Sequence, residues 1–126
     1  MTNEYSYAPA ISPDGKKIAC IYRSGRNVPF KVAIIPFEGG QPRKEFDIIQ
    51  GANPFAYLGQ LRWSPGGRAL HIIVNRDGVD NIWSQPIDGR PPIQLTHFKS
   101  DRIFAFDWSR DGKLVVARGT VTPDAV

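Results

Sequence analysis

The sequence predicts an all-β fold: a β-propeller fragment of about two and a half four-stranded antiparallel blades. Three observations predict it. Residues 61–96 read as four short apolar runs separated by Ser-Pro-Gly-Gly, Asn-Arg-Asp-Gly and Pro-Ile-Asp-Gly, the punctuation of a meander of short strands. The second of these runs is almost continuously apolar through Leu70, Ile72, Ile73 and Val74, the pattern of a sheet covered on both faces rather than one. The third observation is repetition. Ser12-Pro13-Asp14-Gly15, Ser64-Pro65-Gly66-Gly67 and Ser109-Arg110-Asp111-Gly112 start 52 and then 45 residues apart. A second landmark, Glu38-Gly39-Gly40-Gln41-Pro42, is answered by Asp88-Gly89-Arg90-Pro91-Pro92. Multi-strand repeats of this length mark propeller blades.

The elements follow from the same punctuation. A first blade, 5–48, opens with a strand over 5–11 that stops at the Ser12 turn. Its second strand, 16–22, puts Ile18, Cys20 and Tyr22 on one face and Ala19 and Ile21 on the other. A loop over 23–29 carries Gly25 and Asn27, and a third strand over 30–35 is ended by Pro36. An outer strand over 43–48 is more polar, as an edge should be. Residues 49–57, with Gly51 and Pro54, form a linker that accounts for the longer first spacing. The second blade, 58–97, has strands over 61–63, 68–74, 81–85 and 93–96; Pro86 ends the third, as Pro36 ends its counterpart. The partial blade, 103–126, has strands over 103–108 and 114–118, and 119–126 is the start of a further one.

Each turn residue has a structural duty. Gly15, Gly67 and Gly112 are expected at positive φ, which a Cβ opposes. Asp14 and Asp111 accept hydrogen bonds from amides of their own turns, and Ser12, Ser64 and Ser109 open those turns. Trp63 and Trp108 stand immediately before a turn serine in two repeats, which predicts inter-sheet core in equivalent environments.

Composition narrows the function. At 126 residues the chain is one domain by size, 41% hydrophobic and 22% charged. The net charge of +4 comes from dispersed residues such as Lys16, Arg23, Arg43, Arg68, Arg90 and Lys113, so no nucleic-acid partner is expected. No apolar run reaches the length of a bilayer span, so no membrane insertion is expected. The start lacks a secretory pattern, which as written places the chain in the cytoplasm. The single cysteine, Cys20, lies in an apolar run and reads as a buried thiol rather than half of a disulfide or a zinc ligand.

Catalytic motifs are missing. There is no Gly-x-Ser-x-Gly elbow, phosphate loop or kinase catalytic loop, and no enzyme activity, metal or cofactor is expected. His71 and His97 are isolated and read as strand histidines with satisfied hydrogen bonds. The stretch from Asn75 to Asn81 is superficially an acidic calcium loop, but the twelfth position is Pro86. Asp77 and Asp80 remain as the minor binding candidates.

These motifs resemble the TolB-type propeller repeat, named for its Pro-Asp turn, through Ser12-Pro13-Asp14-Gly15-Lys16-Lys17-Ile18-Ala19 and through Ile82-Trp83, Asp88-Gly89 and Leu95-Thr96. Gly66 and Arg110 depart from the pattern at the turn Asp and Pro. Residues 103–126 are also similar to late blades of propellers C-terminal to bacterial serine/threonine kinase domains and winged-helix regulators. The resemblance implies a non-catalytic module, a sensory or protein- or peptide-binding part of a larger bacterial protein. Its alternatives are the gating propeller of a prolyl-oligopeptidase-type peptidase and a periplasmic TolB-like scaffold. Two and a half blades form an open arc, so neighbouring blades or domains of a longer chain are the expected partners. The isolated chain is expected to self-associate through apolar surface near Ile18, Val32, Leu114 and Val116.

Overall fold

The computed structural model describes residues 5–23, 25–38, 44–52 and 61–120. Ten strands form two four-stranded sheets and a hairpin, without helix among the described residues. The first sheet runs in chain order through β1 (Tyr5–Ile11), β2 (Lys17–Arg23), β3 (Lys31–Pro36) and β4 (Lys44–Asp47). The second runs through β5 (Arg62–Trp63), β6 (Ala69–Arg76), β7 (Val79–Pro86) and β8 (Ile93–Gln94). The hairpin is β9 (Arg102–Trp108) against β10 (Leu114–Gly119). All pairings within these sheets are antiparallel.

The sheets stack face to face, and the period-two alternation of each strand divides its side chains between two cores. Ala19, Ile21, Val32 and Ile34 of the first sheet meet Trp63, Leu70, Ile72 and Val74 of the second. The opposite face of the second sheet supplies Ile73 and Ile82, which pack on Ile103 and Phe106 of the hairpin. Covered on both sides, β6 is apolar at successive positions. Cys20, Tyr22 and Ala33 are buried on the first sheet's other face.

The strand limits differ from the expectation at one informative place. The segment from Asn75 to Gly78 was expected to break the sheet, yet β6 and β7 extend to a direct Arg76–Val79 pairing. The connection is only Asp77-Gly78, with φ of 55° and 82°, the two positive values of a type I′ hairpin turn. Such a turn follows the natural twist of the strands, so pairing continues to its edge. β8 is shorter than expected. Beyond Gln94, the Leu95 amide and the Thr96 side chain bond Ile82 instead.

The linker is also tighter than a spacer. Ile49 is buried with the first core, Ala52 bridges to Val74, and the Asn75 N–H donates to the Gly51 carbonyl at 3.0 Å. A Cβ on Gly51 would lie 2.4 Å from the Asn75 oxygen, and its φ is 97°, so glycine is required there. The rest of that linker, the Gly39-Gly40-Gln41-Pro42 landmark, Arg43 at the start of the expected outer strand, and the strand expected beyond residue 120 lie outside the described residues.

The apolar positions expected to be exposed are otherwise placed. Val32 is buried between the sheets, Leu114 and Val116 are half-buried against the second core, and Ile18 is half-buried. The exposed face of the hairpin is instead the one carrying Ala105, Val115 and Ala117.

Candidate functional site

The turn residues build a repeated device. At the first turn the Ser12 N–H donates to the Lys17 carbonyl and the Gly15 N–H to the Ser12 carbonyl, each at 2.9 Å. Asp14 accepts from the Ser12 hydroxyl at 2.6 Å and from the Lys16 N–H at 2.9 Å. These donors hold its carboxyl below the usual carboxylate range, the Ser12 hydroxyl first. Gly66 leaves the second turn without that acceptor; the Ser64 hydroxyl oxygen receives the Ala69 amide, as Ser12 receives that of Lys17 at 3.0 Å, and takes the Arg68 amide as well, both at 3.2 Å. In the third turn Ser109 donates to Asp111, whose carboxyl is likewise held low. Gly15, Gly67 and Gly112 all have positive φ, between 71° and 83°.

The tryptophans reach across blades. Trp63 is 8% exposed, and its Nε1–H donates to the Ala10 carbonyl of β1 at 3.0 Å. Trp108 donates from Nε1 to His71 Nδ1 of β6 at 2.9 Å, with ring centroids 5.3 Å apart. The destinations correspond, because Ala10 pairs with Ala19 as Arg62 pairs with His71. Where the second-strand position is alanine, the indole finds backbone; where it is histidine, the indole finds a ring nitrogen. The environments are not equal, however. Trp108 is only half-buried, because the hairpin is covered on one face.

His71 is 3% exposed, and its burial pushes the imidazole below its ordinary pKa. Across the strands it faces Arg62 on β5 and Ser84 on β7. The Nε of Arg62 is buried without a hydrogen-bond partner. His97 is exposed and distant in sequence from any metal-ligand pattern.

The two acidic candidates have different roles. Asp77 is the exposed first residue of the β6–β7 turn. Asp80 is 0% exposed and fastens blades together. Its Oδ2 accepts from the Ile103 N–H at 2.9 Å and from Arg102 Nε at 3.1 Å, and its Oδ1 accepts from Asn75 Nδ2 at 2.8 Å. Its own N–H donates to the Asp101 carbonyl at 3.1 Å. The sequence placed Asp80 just before the strand over 81–85, and nothing local in it marked partners 22 and 23 residues away. The described residues contain no group of three or more metal-ligating side chains.

An open groove of about 490 Å³ lies between β4 and the β7–β8 side of the second blade, lined by Phe46, Trp83, Arg76, Pro91 and Pro92 among others. Its charges are locally engaged: Arg76 stacks on Trp83 at 4.6 Å and donates to the Gln50 carbonyl, and Asp47 pairs with Lys31 at 3.4 Å. Such a surface can take up a chain or small molecule; it does not juxtapose a nucleophile and a base.

No family model matches the chain. It is 29% identical over 85 residues to Tricorn protease homolog 1 of Streptomyces coelicolor, a match covering 67% of this chain and 7% of that protein. Among solved structures it resembles a candidate TolB from Agrobacterium tumefaciens, with a TM-score of 0.58 and 24% identity, over 89% of this chain and 37% of the other. The fold is thus that of a TolB-like propeller, and the chain spans a minor part of both relatives.

Proposed function

We propose that the chain is a non-catalytic propeller module, a protein- or ligand-binding part of a larger polypeptide. The observation that carries this reading is how the polar side chains are used. Asp14, Asp111, His71 and Asp80 each hold a turn together or join one blade to the next. Groups committed in this way are structural, and a fold of this kind takes its function from what is grafted onto it. The kinase- or regulator-linked version of the module rests on the sequence likeness of residues 103–126. A second reading, the propeller of a peptidase, is favoured by the match to a stretch of Tricorn protease homolog 1.

Reading the encoding locus on both sides of these codons separates the two. A kinase or winged-helix domain in the same reading frame supports the first, and a hydrolase domain supports the second. The purified chain should give no turnover of peptide, ester or phosphoester substrates. Turnover abolished by replacing Asp77 or His97 would defeat the non-catalytic reading.

A further inference from the structure

The seams on the two sides of the second blade carry the same indole contact, made to different acceptors. Across the first seam Trp63 donates to a main-chain carbonyl, that of Ala10; across the second, Trp108 donates to Nδ1 of His71 at 2.9 Å. Seven residues after the turn serine the first blade has Ala19 where the second has His71. A carbonyl accepts at any pH, whereas an imidazole nitrogen accepts only while it carries no proton. An indole N–H can only donate, so the contact requires a bare Nδ1 and puts the proton of the neutral ring on Nε2.

The surroundings of the ring favour its neutral form. Its burial lowers the pKa from the ordinary value. Its cross-strand neighbours are Arg62 on β5 and Ser84 on β7, and from the hairpin it meets Trp108, which stands opposite Leu114. The charged residues of the hairpin at this end, Asp107, Arg110, Asp111 and Lys113, are exposed. The opposite end of the seam is held without an imidazole, by the Asp80 carboxylate on the Ile103 N–H and Arg102. β9 is thus tied near both ends, at Ile103 by Asp80 and at Trp108 by His71. Between the ties Phe106 belongs to the apolar cluster of Ile73 and Ile82.

We propose that His71 is a proton-operated latch on the seam between the second blade and the hairpin. A proton taken up at Nδ1 leaves two N–H donors facing each other, so the Trp108 bond breaks and the turn end of β9 and β10 parts from the second blade. The Asp80 contacts stay, and the seam opens from one end as a hinge. The first seam, with a carbonyl in place of the imidazole, does not respond. Opening uncovers apolar surface on both sides, Ile73 on the blade and Phe106, Leu114 and Val116 on the hairpin. The sign follows from linkage. The closed ring holds a proton less well than the open one, so the latch is shut above about pH 6.5 and loosens as pH falls below it. The device goes beyond the partner-binding module proposed above and does not depend on it.

The test is hydrogen exchange of the indole N–H groups in the full chain at roughly pH 7.5 and roughly pH 5.5, each rate divided by the intrinsic rate at that pH. If the open ring titrates at the ordinary value and the closed ring stays neutral, opening becomes up to about tenfold more frequent over this range. Protection of the Trp108 indole should fall by up to that factor, and Overhauser contacts between the His71 and Trp108 rings should weaken. The Trp63 indole and the Ile103 amide should keep their protection. In His71→Gln, whose amide oxygen accepts without titrating, Trp108 protection should be the same at both pH values. Three results would each overturn the latch: Trp108 protection independent of pH in the wild type, an equal fall at Trp63 or Ile103, or a pH dependence that survives in His71→Gln. Where His71→Gln does not fold, Trp108→Phe takes its place. With the donor gone, the His71 ring protons should titrate at higher pH than in the wild type, and an unchanged titration defeats the proposal.

Discussion

At the scale of single residues, the two indole contacts make separable predictions. Trp63 is buried between complete sheets, so Trp63→Ala should cost about 3–5 kcal/mol. Trp108 is half-buried, so Trp108→Ala should cost less, with denaturant titration reading both. His71 adds a pH dependence. Burial lowers its pKa from the ordinary 6.5, and a protonated Nδ1 no longer accepts the Trp108 N–H. The unfolded chain takes up its proton near the ordinary value and the folded chain only at lower pH. The stabilisation is therefore complete above about pH 6.5 and is lost as pH falls below it. His71→Gln keeps an acceptor and removes the titration, so its stability should vary less than the wild type's between pH 7 and roughly pH 5. An unchanged pH profile would show that His71 is not the group responsible. The acidic turns have the same sign at lower pH: Asp14 and Asp111, held low by their serines, lose their contribution as pH falls through the carboxylate range.

At the scale of elements, what was legible in the sequence was the local chemistry. The Ser-x-x-Gly turns, the prolines ending β3 and β7 and the doubly apolar β6 are each set by backbone needs within a few residues, so their positions could be read directly. The Asp77-Gly78 turn was visible as punctuation, but the lengths of the strands beside it depended on a type I′ geometry that pairs Arg76 with Val79. The contacts between blades were hidden. Asp80 read as a minor binding candidate because two of its donors, Arg102 and Ile103, come from beyond the next blade boundary. That clip predicts an element-specific effect. Asp80→Ala strands the buried Ile103 N–H, at a cost of about 1–3 kcal/mol. Amide exchange should accelerate throughout β9 and β10 while β2 and β3 keep their protection. Uniform acceleration would mean that the three units open together and that Asp80 is no special tie.

For the whole molecule, the stacking order decides which surface is adhesive. The second blade is covered on both faces, whereas the hairpin has one covered and one open. The open side carries Ala105, Val115 and Ala117, with Val115 57% exposed. Next to it the register shift between Ala117 and Arg118 leaves Phe104 without an opposite residue, and its ring lies over Gly119 and is 44% exposed. Flat and apolar, this surface favours association in water. Sedimentation of the isolated chain should therefore show concentration-dependent self-association. Val115→Lys should shift it towards monomer with little change in stability, since exposed substitutions usually stay within about 0.5 kcal/mol. Association that persists unchanged in Val115→Lys would place the contact elsewhere, with Ile11 and Phe37, exposed on the first blade, the next positions to alter.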